Sequence, residues 1–144
     1  MSVGFLTKLN IFLKSTKLFK NWYVYPLVYF KLTKKDHVIF QTKTGLKIKI
    51  RVNSTDLMAL THVWMIQEYS NSDFEINDSD IVIDVGAHIG LFALFASQFC
   101  KRGKIFCFEP IKENYELLVE NINSNKIKNI IPFNLAVSKV SGSV

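Results

Sequence analysis

VIDVGAHIGLFALFA, residues 82–96, is the stretch on which the fold turns. Together with Ile81 it opens as a continuous apolar run, Ile81 to Val85, of the kind that forms a parallel strand covered on both faces. From Leu91 to Cys100 the apolar residues recur at helical spacing. Between the two stands Gly86-Ala87-His88-Ile89-Gly90. A glycine-bearing turn from strand to helix lets backbone approach a ligand where a Cβ would collide, and it brings free helix amides close. Spacing then excludes two common users of this device. A dinucleotide fingerprint wants glycine at its first, third and sixth positions, which here hold Gly86, His88 and Leu91. A phosphate-binding P-loop ends in Gly-Lys-Ser/Thr, whereas Gly90 is followed by Leu91 and Phe92.

What survives is an acidic residue, x, Gly, x, x, x, Gly: Asp84, Gly86 and Gly90. This resembles the first motif of class I S-adenosylmethionine-dependent methyltransferases, with His88 where many members carry a middle glycine. Asp84, at the carboxyl end of the strand, is placed for the cationic or amino-acid portion of such a cofactor, and the uncharged loop suits a ligand without pyrophosphate. CFEP, residues 107–110, gives a second signal. Glu109 falls at about the offset from Gly90 at which a Rossmann acidic residue accepts hydrogen bonds from ribose hydroxyls, and it argues against a 2′-phosphate. The structural alternative is a plain turn with Asp84 as a helix cap and Glu109 on the surface. His88 reads as a loop residue shaping the pocket, with a catalytic base as the lesser reading.

Outward from the loop, Lys104 to Phe108 reads as the next strand, Lys112 to Asn123 as a helix and Ile130 to Val137 as a third strand. Strand-helix-strand-helix-strand with short links is half of a doubly wound α/β domain. Upstream, Leu46, Ile48, Ile50 and Val52 alternate with Lys47, Lys49 and Arg51, and Thr44-Gly45 can turn, so residues 38–52 predict a half-buried antiparallel hairpin outside the parallel sheet. A helix follows from about Asp56 to Tyr69, capped by Ser54 or Thr55, with Leu57, Leu60, Trp64 and Met65 as its buried stripe and His62 on its surface.

The 144 residues suffice for one domain, and 49% hydrophobic with 21% charged residues indicates a globular chain. Cys100 and Cys107 have neither disulfide-framework nor metal-site spacing, so no metal and a reducing, cytoplasmic compartment are expected. The net charge of +6 is unevenly spread: residues 1–52 hold eleven Lys or Arg and one Asp, residues 53–144 seven Lys or Arg and eleven acids. Residues 5–32 interleave Phe, Tyr and Trp with lysines and predict one or two short helices broken near Pro26. They read first as an amphipathic lid, second as an arm for peripheral contact with the inner membrane surface or with a partner. Nucleic acid is set last, for want of a base-reading module. The longest uncharged run there, Asn21 to Phe30, has 10 residues where a membrane span wants roughly 20, so no crossing is expected.

Taken together, NWYVYPLVYFKL from Asn21, GLKIKIRVNSTDL at 45–57, VIDVGAHIGLFALFAS at 82–97, GKIFCFEPIKENYELLVENINSN at 103–125 and NLAVSKVSG at 134–142 resemble the FkbM-type methyltransferases. The resemblance implies a Rossmann-like class I methyltransferase fold: a basic helical segment over 1–36, then hairpin and helix over 37–70, and a cofactor-binding βαβαβ over 81–137. It implies S-adenosylmethionine as donor and a hydroxyl on a small molecule or sugar as acceptor. Carried onto this chain, Asp84, Gly86, His88 and Gly90 line the methionine side, Glu109 holds the ribose, and Asn134 and Ala136 sit near the adenine or the pocket wall. Asp56 and Glu68 match the family's front segment without an assigned role, and no catalytic base is named. Such proteins continue past the equivalent of Gly142 into further strands. The resemblance therefore implies an incomplete parallel sheet with an unpaired edge, little activity alone, and, as the alternative to an enzyme, a non-catalytic cofactor-binding or partner-dependent fragment.

Overall fold

Period-two alternation and period-3.6 runs sort themselves into two compact units, residues 1–71 and 72–144. The computed structural model describes residues 5–66 and 75–138.

In the first unit the alternating segment pairs as expected. β1, His37–Gln41, and β2, Lys47–Arg51, form an antiparallel ladder with Phe40 opposite Ile48 and Val38 opposite Ile50. One face, bearing Phe40, Ile48 and Ile50, is fully buried, while the lysines alternate outward. Two helices precede it, α1, Phe5–Leu18, and α2, Val24–Tyr29. The break between them lies at 19–23 and not at Pro26, which sits third in α2. An amide that early in a helix has no intrahelical partner, so proline is tolerated there. Phe19, in the break, is fully buried and packs on Phe40 with ring centroids 4.9 Å apart.

Beyond the hairpin the expected helix starts on time but changes pitch. α3, Asp56–Leu60, passes into a π-helical turn, Thr61–Ile66, and residues 67–69 lie outside the described residues. Thr55 makes no side-chain cap; the Ser54 hydroxyl accepts from the Asp56 amide instead. Asp56 is a fully buried anion, gripped by the Arg51 side chain at 2.8 and 2.9 Å and accepting the Arg51 amide at 2.9 Å. The widened turn is held from two sides. Lys14 donates to the Met65 carbonyl at 2.7 Å, and Thr61, donating to Leu57 O, receives the Tyr25 hydroxyl at 2.7 Å. Burial raises the Tyr25 pKa above the usual phenol value.

The second unit is a three-stranded parallel sheet in the order β3, Ile81–Val85, then β4, Lys104–Phe108, then β5, Ile130–Phe133. Register sets Val82 beside Ile105 and Asp84 beside Cys107. α4, Leu91–Ala96, and α5, Lys112–Ser124, cover the face that carries Val82, Ile105 and Cys107. On the opposite face Ile81, Ile83 and Val85 are 71%, 64% and 60% exposed. The expectation of a first strand buried on both faces is thus corrected, because both crossover helices lie on one side. β5 is also shorter than expected and stops at Phe133, where Asn134 turns its side chain back to bond backbone. This is a Rossmann-like methyltransferase fold, with an antiparallel hairpin and a separate parallel sheet preceded by N-terminal helices.

Candidate functional site

The turn after β3 is built from three residues in the left-handed region, Gly86 at φ 77°, His88 at 52° and Gly90 at 83°. Glycine takes these angles freely and histidine less often, and the bond from the His88 amide to Glu109 helps to hold it there. Gly90 also faces α5 so closely that a Cβ would lie 3.2 Å from Leu118 Cγ, whereas beside Gly86 a Cβ would meet nothing within 4 Å. One glycine serves packing; the other opens space at the end of the strand.

The turn is tied to β4 bond by bond. The Phe108 carbonyl accepts the amides of Gly86 at 2.9 Å and Ala87 at 3.1 Å, and Glu109 Oε2 accepts the amide of His88 at 2.8 Å. Glu109 is 4% exposed, and its other oxygen accepts the Ile111 amide at 3.0 Å and the Asn114 side-chain amide at 3.3 Å. A carboxylate offers about four lone-pair sites, so three are spent inside the protein and roughly one, on Oε2, is left for a hydroxyl. Glu109 is therefore neither a surface acid nor a free bidentate acceptor. It is first the clip between the glycine turn and the start of α5.

Asp84 differs. Its Oδ2 is buried and, among the described residues, has no hydrogen-bond partner. Burial first, and then the neighbouring Glu109 carboxylate, push its pKa up to about 6. A carboxylate so placed is stabilised by a cation or a donor arriving at the strand end. Cys107, beside Asp84, is buried with its thiol pushed up to about 12 by burial and then by Asp84, which removes it as a nucleophile near neutral pH.

Asp84, Gly86, His88, Gly90 and Glu109 therefore meet at the carboxyl edge of β3 and β4. Asn134 joins them from behind, donating to the carbonyls of Glu109 at 2.8 Å and Pro110 at 3.1 Å. Ala136 lies exposed in irregular chain beyond β5. Glu68 lies outside the described residues, and Asp56 belongs to the first unit as a structural anion. Two residues escaped the sequence reading: Asn114, which holds Glu109, and Asn121, fully buried and donating to the Ile89 carbonyl at 3.0 Å. Both interrupt the apolar stripe Leu117, Leu118 and Ile122 of α5, and a polar residue at such a position is the signal that could have found them.

The donor set fits a small cationic nucleoside: two carboxylates at one strand end, a glycine turn with open space, and no cation in the turn. Among known proteins, the family model that matches, over residues 39–144, is the TRM5/TYW2 methyltransferase domain. A tRNA(Phe) (4-demethylwyosine(37)-C(7)) aminocarboxypropyltransferase of Methanocaldococcus jannaschii is 33% identical over 67 residues, 46% of this chain and 27% of that protein. The chain thus spans about a quarter of that relative's length. Among solved structures, M. jannaschii TYW2 in complex with AdoMet superposes with a TM-score of 0.51 at 24% identity, covering 72% of this chain and 45% of the other. P. horikoshii TYW2 in complex with MeSAdo gives 0.50 at 20%, covering 73% and 38%. The FkbM-type expectation is corrected by the family match, and the small-molecule or sugar hydroxyl acceptor drawn from it falls as well.

Proposed function

The chain belongs to the TRM5/TYW2 methyltransferase-domain family, a family of enzymes that use S-adenosylmethionine, and from that premise we propose that it is the cofactor-holding part of a tRNA-modifying transferase. The group moved is the 3-amino-3-carboxypropyl chain of the cofactor, as the name of the M. jannaschii relative suggests. Methyl transfer is the second reading, favoured by the name of the family itself. The expectation that nucleic acid ranks last among partners is corrected by the same relative, whose named substrate is a tRNA.

The observation that carries the reading is the pair Asp84 and Glu109, one with a buried oxygen lacking a partner, the other clipped to the glycine turn. Asp84 would hold the ammonium or another donor of the cofactor, and the remaining acceptor site of Glu109 a ribose hydroxyl. The open flank of Gly86 would let the nucleoside lie against backbone, and His88 and Gly90 would shape the turn. Asn134 acts through Glu109 and Pro110 and is a positioning residue. When bound, the cofactor would supply an electrophilic carbon activated by its sulfonium, with a neutral thioether as the leaving group. The protein's share is alignment and exclusion of water at the strand end.

Calorimetry of the 144-residue chain with S-adenosylmethionine and S-adenosylhomocysteine tests the site, with Glu109→Ala expected to abolish binding. Absence of affinity for both in a folded sample would sink it. With tRNA added, release of 5′-methylthioadenosine supports aminocarboxypropyl transfer and S-adenosylhomocysteine supports methyl transfer.

A further inference from the structure

The first unit contains a cavity of about 510 Å³ that the cofactor site does not use, walled by α1, α2, the turn after β2, α3 and the π-helical turn. That volume is in the range of roughly 300–1,000 Å³ usual for bound small molecules. Three features of its lining bear on what fills it. The rings of Phe12, Tyr25 and Tyr29 form one wall, Phe12 meeting both tyrosines edge to face at 5.6 and 5.5 Å. Lys8, Lys31 and His62 also line it, and among the described residues no carboxylate does, in the half of the chain that carries the positive charge. Asn53 and Ser54 add polar groups at the turn after β2.

Two left-handed turns border the same place. Four non-glycine residues among those described have positive φ, and two of them, Lys31 at 55° and Asn53 at 61°, line this cavity. A third, His88, belongs to the cofactor turn. Lys31 takes the left-handed region as the residue that closes α2, its amide bonding the Val28 carbonyl and the Leu32 amide the Leu27 carbonyl, and asparagine enters it readily, so both angles belong to turns that shape the lining.

Resting on the reading that the chain acts on tRNA, we propose that this cavity binds one unstacked nucleotide of the RNA, its base against the aromatic wall and its phosphate between Lys8 and Lys31. An acyl chain would use the apolar wall but offer no anion to Lys8 and Lys31 and no polar group to Asn53. A nucleotide uses all three: flat apolar faces, a polar edge and an anion. A single-stranded nucleotide stacks on aromatic rings whatever its base, which suits a site that holds the substrate without choosing it.

Fluorescence anisotropy of the full chain with a labelled short single-stranded RNA and with a tRNA transcript tests this, with saturating S-adenosylhomocysteine filling the cofactor site. Lys8→Gln and Lys31→Gln should each weaken binding severalfold and lower the slope of log affinity against log salt by about 0.7. Met58→Glu, placing an anion at an exposed position of the lining, should act in the same direction and guards against a lysine variant that misfolds. If the wild-type chain binds RNA and all three variants match it in affinity and slope, the cavity is not the site, although the tRNA reading stands. If the wild type binds no RNA, both fall; binding to vesicles rich in phosphatidylglycerol, lost in the same variants, would then assign the cavity to a membrane surface.

Discussion

Asp84 is held where its own charge is costly. Its folded pKa, about 6, lies above the ordinary carboxylate value of 3.8, so the folded state favours the protonated form. Its stabilising contribution is complete below pH 3.8 and lost as pH rises through about 6. Asp84→Asn should therefore raise the melting temperature at pH 7.5, by up to about 2–3 kcal/mol of stability, with the gain vanishing near pH 4; calorimetric melts at both values check it. The same variant should lose tenfold or more in affinity for S-adenosylmethionine. Wild-type affinity should climb between pH 5 and 7 with a midpoint near 6, since the ionised form greets a cation. At this scale the sequence was most informative, because an acid, two glycines and a second acid at fixed spacing are local. What it hid was the demand already placed on Glu109. The amides of His88 and Ile111 and the side chain of Asn114 converge there only once α5 is packed.

Elements are fastened at two points that no periodicity announces. Arg51 ends β2 and Asp56 begins α3, and their ion pair fixes the corner between hairpin and helix. The partners are unequal: the Asp56 side chain has no exposure and that of Arg51 has 29%. Arg51→Ala leaves a buried anion and should cost about 3–5 kcal/mol, while Asp56→Ala leaves a cation that can reach water and should cost less; urea titrations of the two variants rank them. Asp56 reads in sequence as a first-turn acid favoured by the helix dipole, and only the neighbouring strand end reveals the pairing. In the second unit Asn121→Leu orphans the Ile89 carbonyl at the cofactor turn. It should destabilise by about 1–3 kcal/mol and weaken cofactor binding without touching a cofactor contact, as melts and calorimetry would register. The pitch change after Leu60 was equally illegible, since apolar spacing alone does not separate an α-turn from a wider one, and here Lys14 and Tyr25 from distant sequence hold it.

Across the whole molecule, the alternation of strands and helices was enough to yield the sheet, its parallel sense and the glycine turn at its carboxyl end. It was not enough to yield the family. VIDVGAHIG and CFEP read as residues for the cofactor alone, and a reading confined to the donor says nothing of the acceptor; hence the mistaken sugar hydroxyl. The sheet carries one consequence of its own. Ile81, Ile83 and Val85 form an apolar row at the β3 edge, with Phe108 stacked on Phe133 further along the same face. A concentrated solution of the 144-residue chain should self-associate, and light scattering should fall in an Ile83→Lys, Val85→Lys variant, whose positions are exposed enough to accept charge. Inside a cell that row is also a signal to quality control. Chaperones and proteases survey bare hydrophobic strands, so the abundance of this polypeptide should follow how continuously the row is shielded, and rise or fall with whatever shields it.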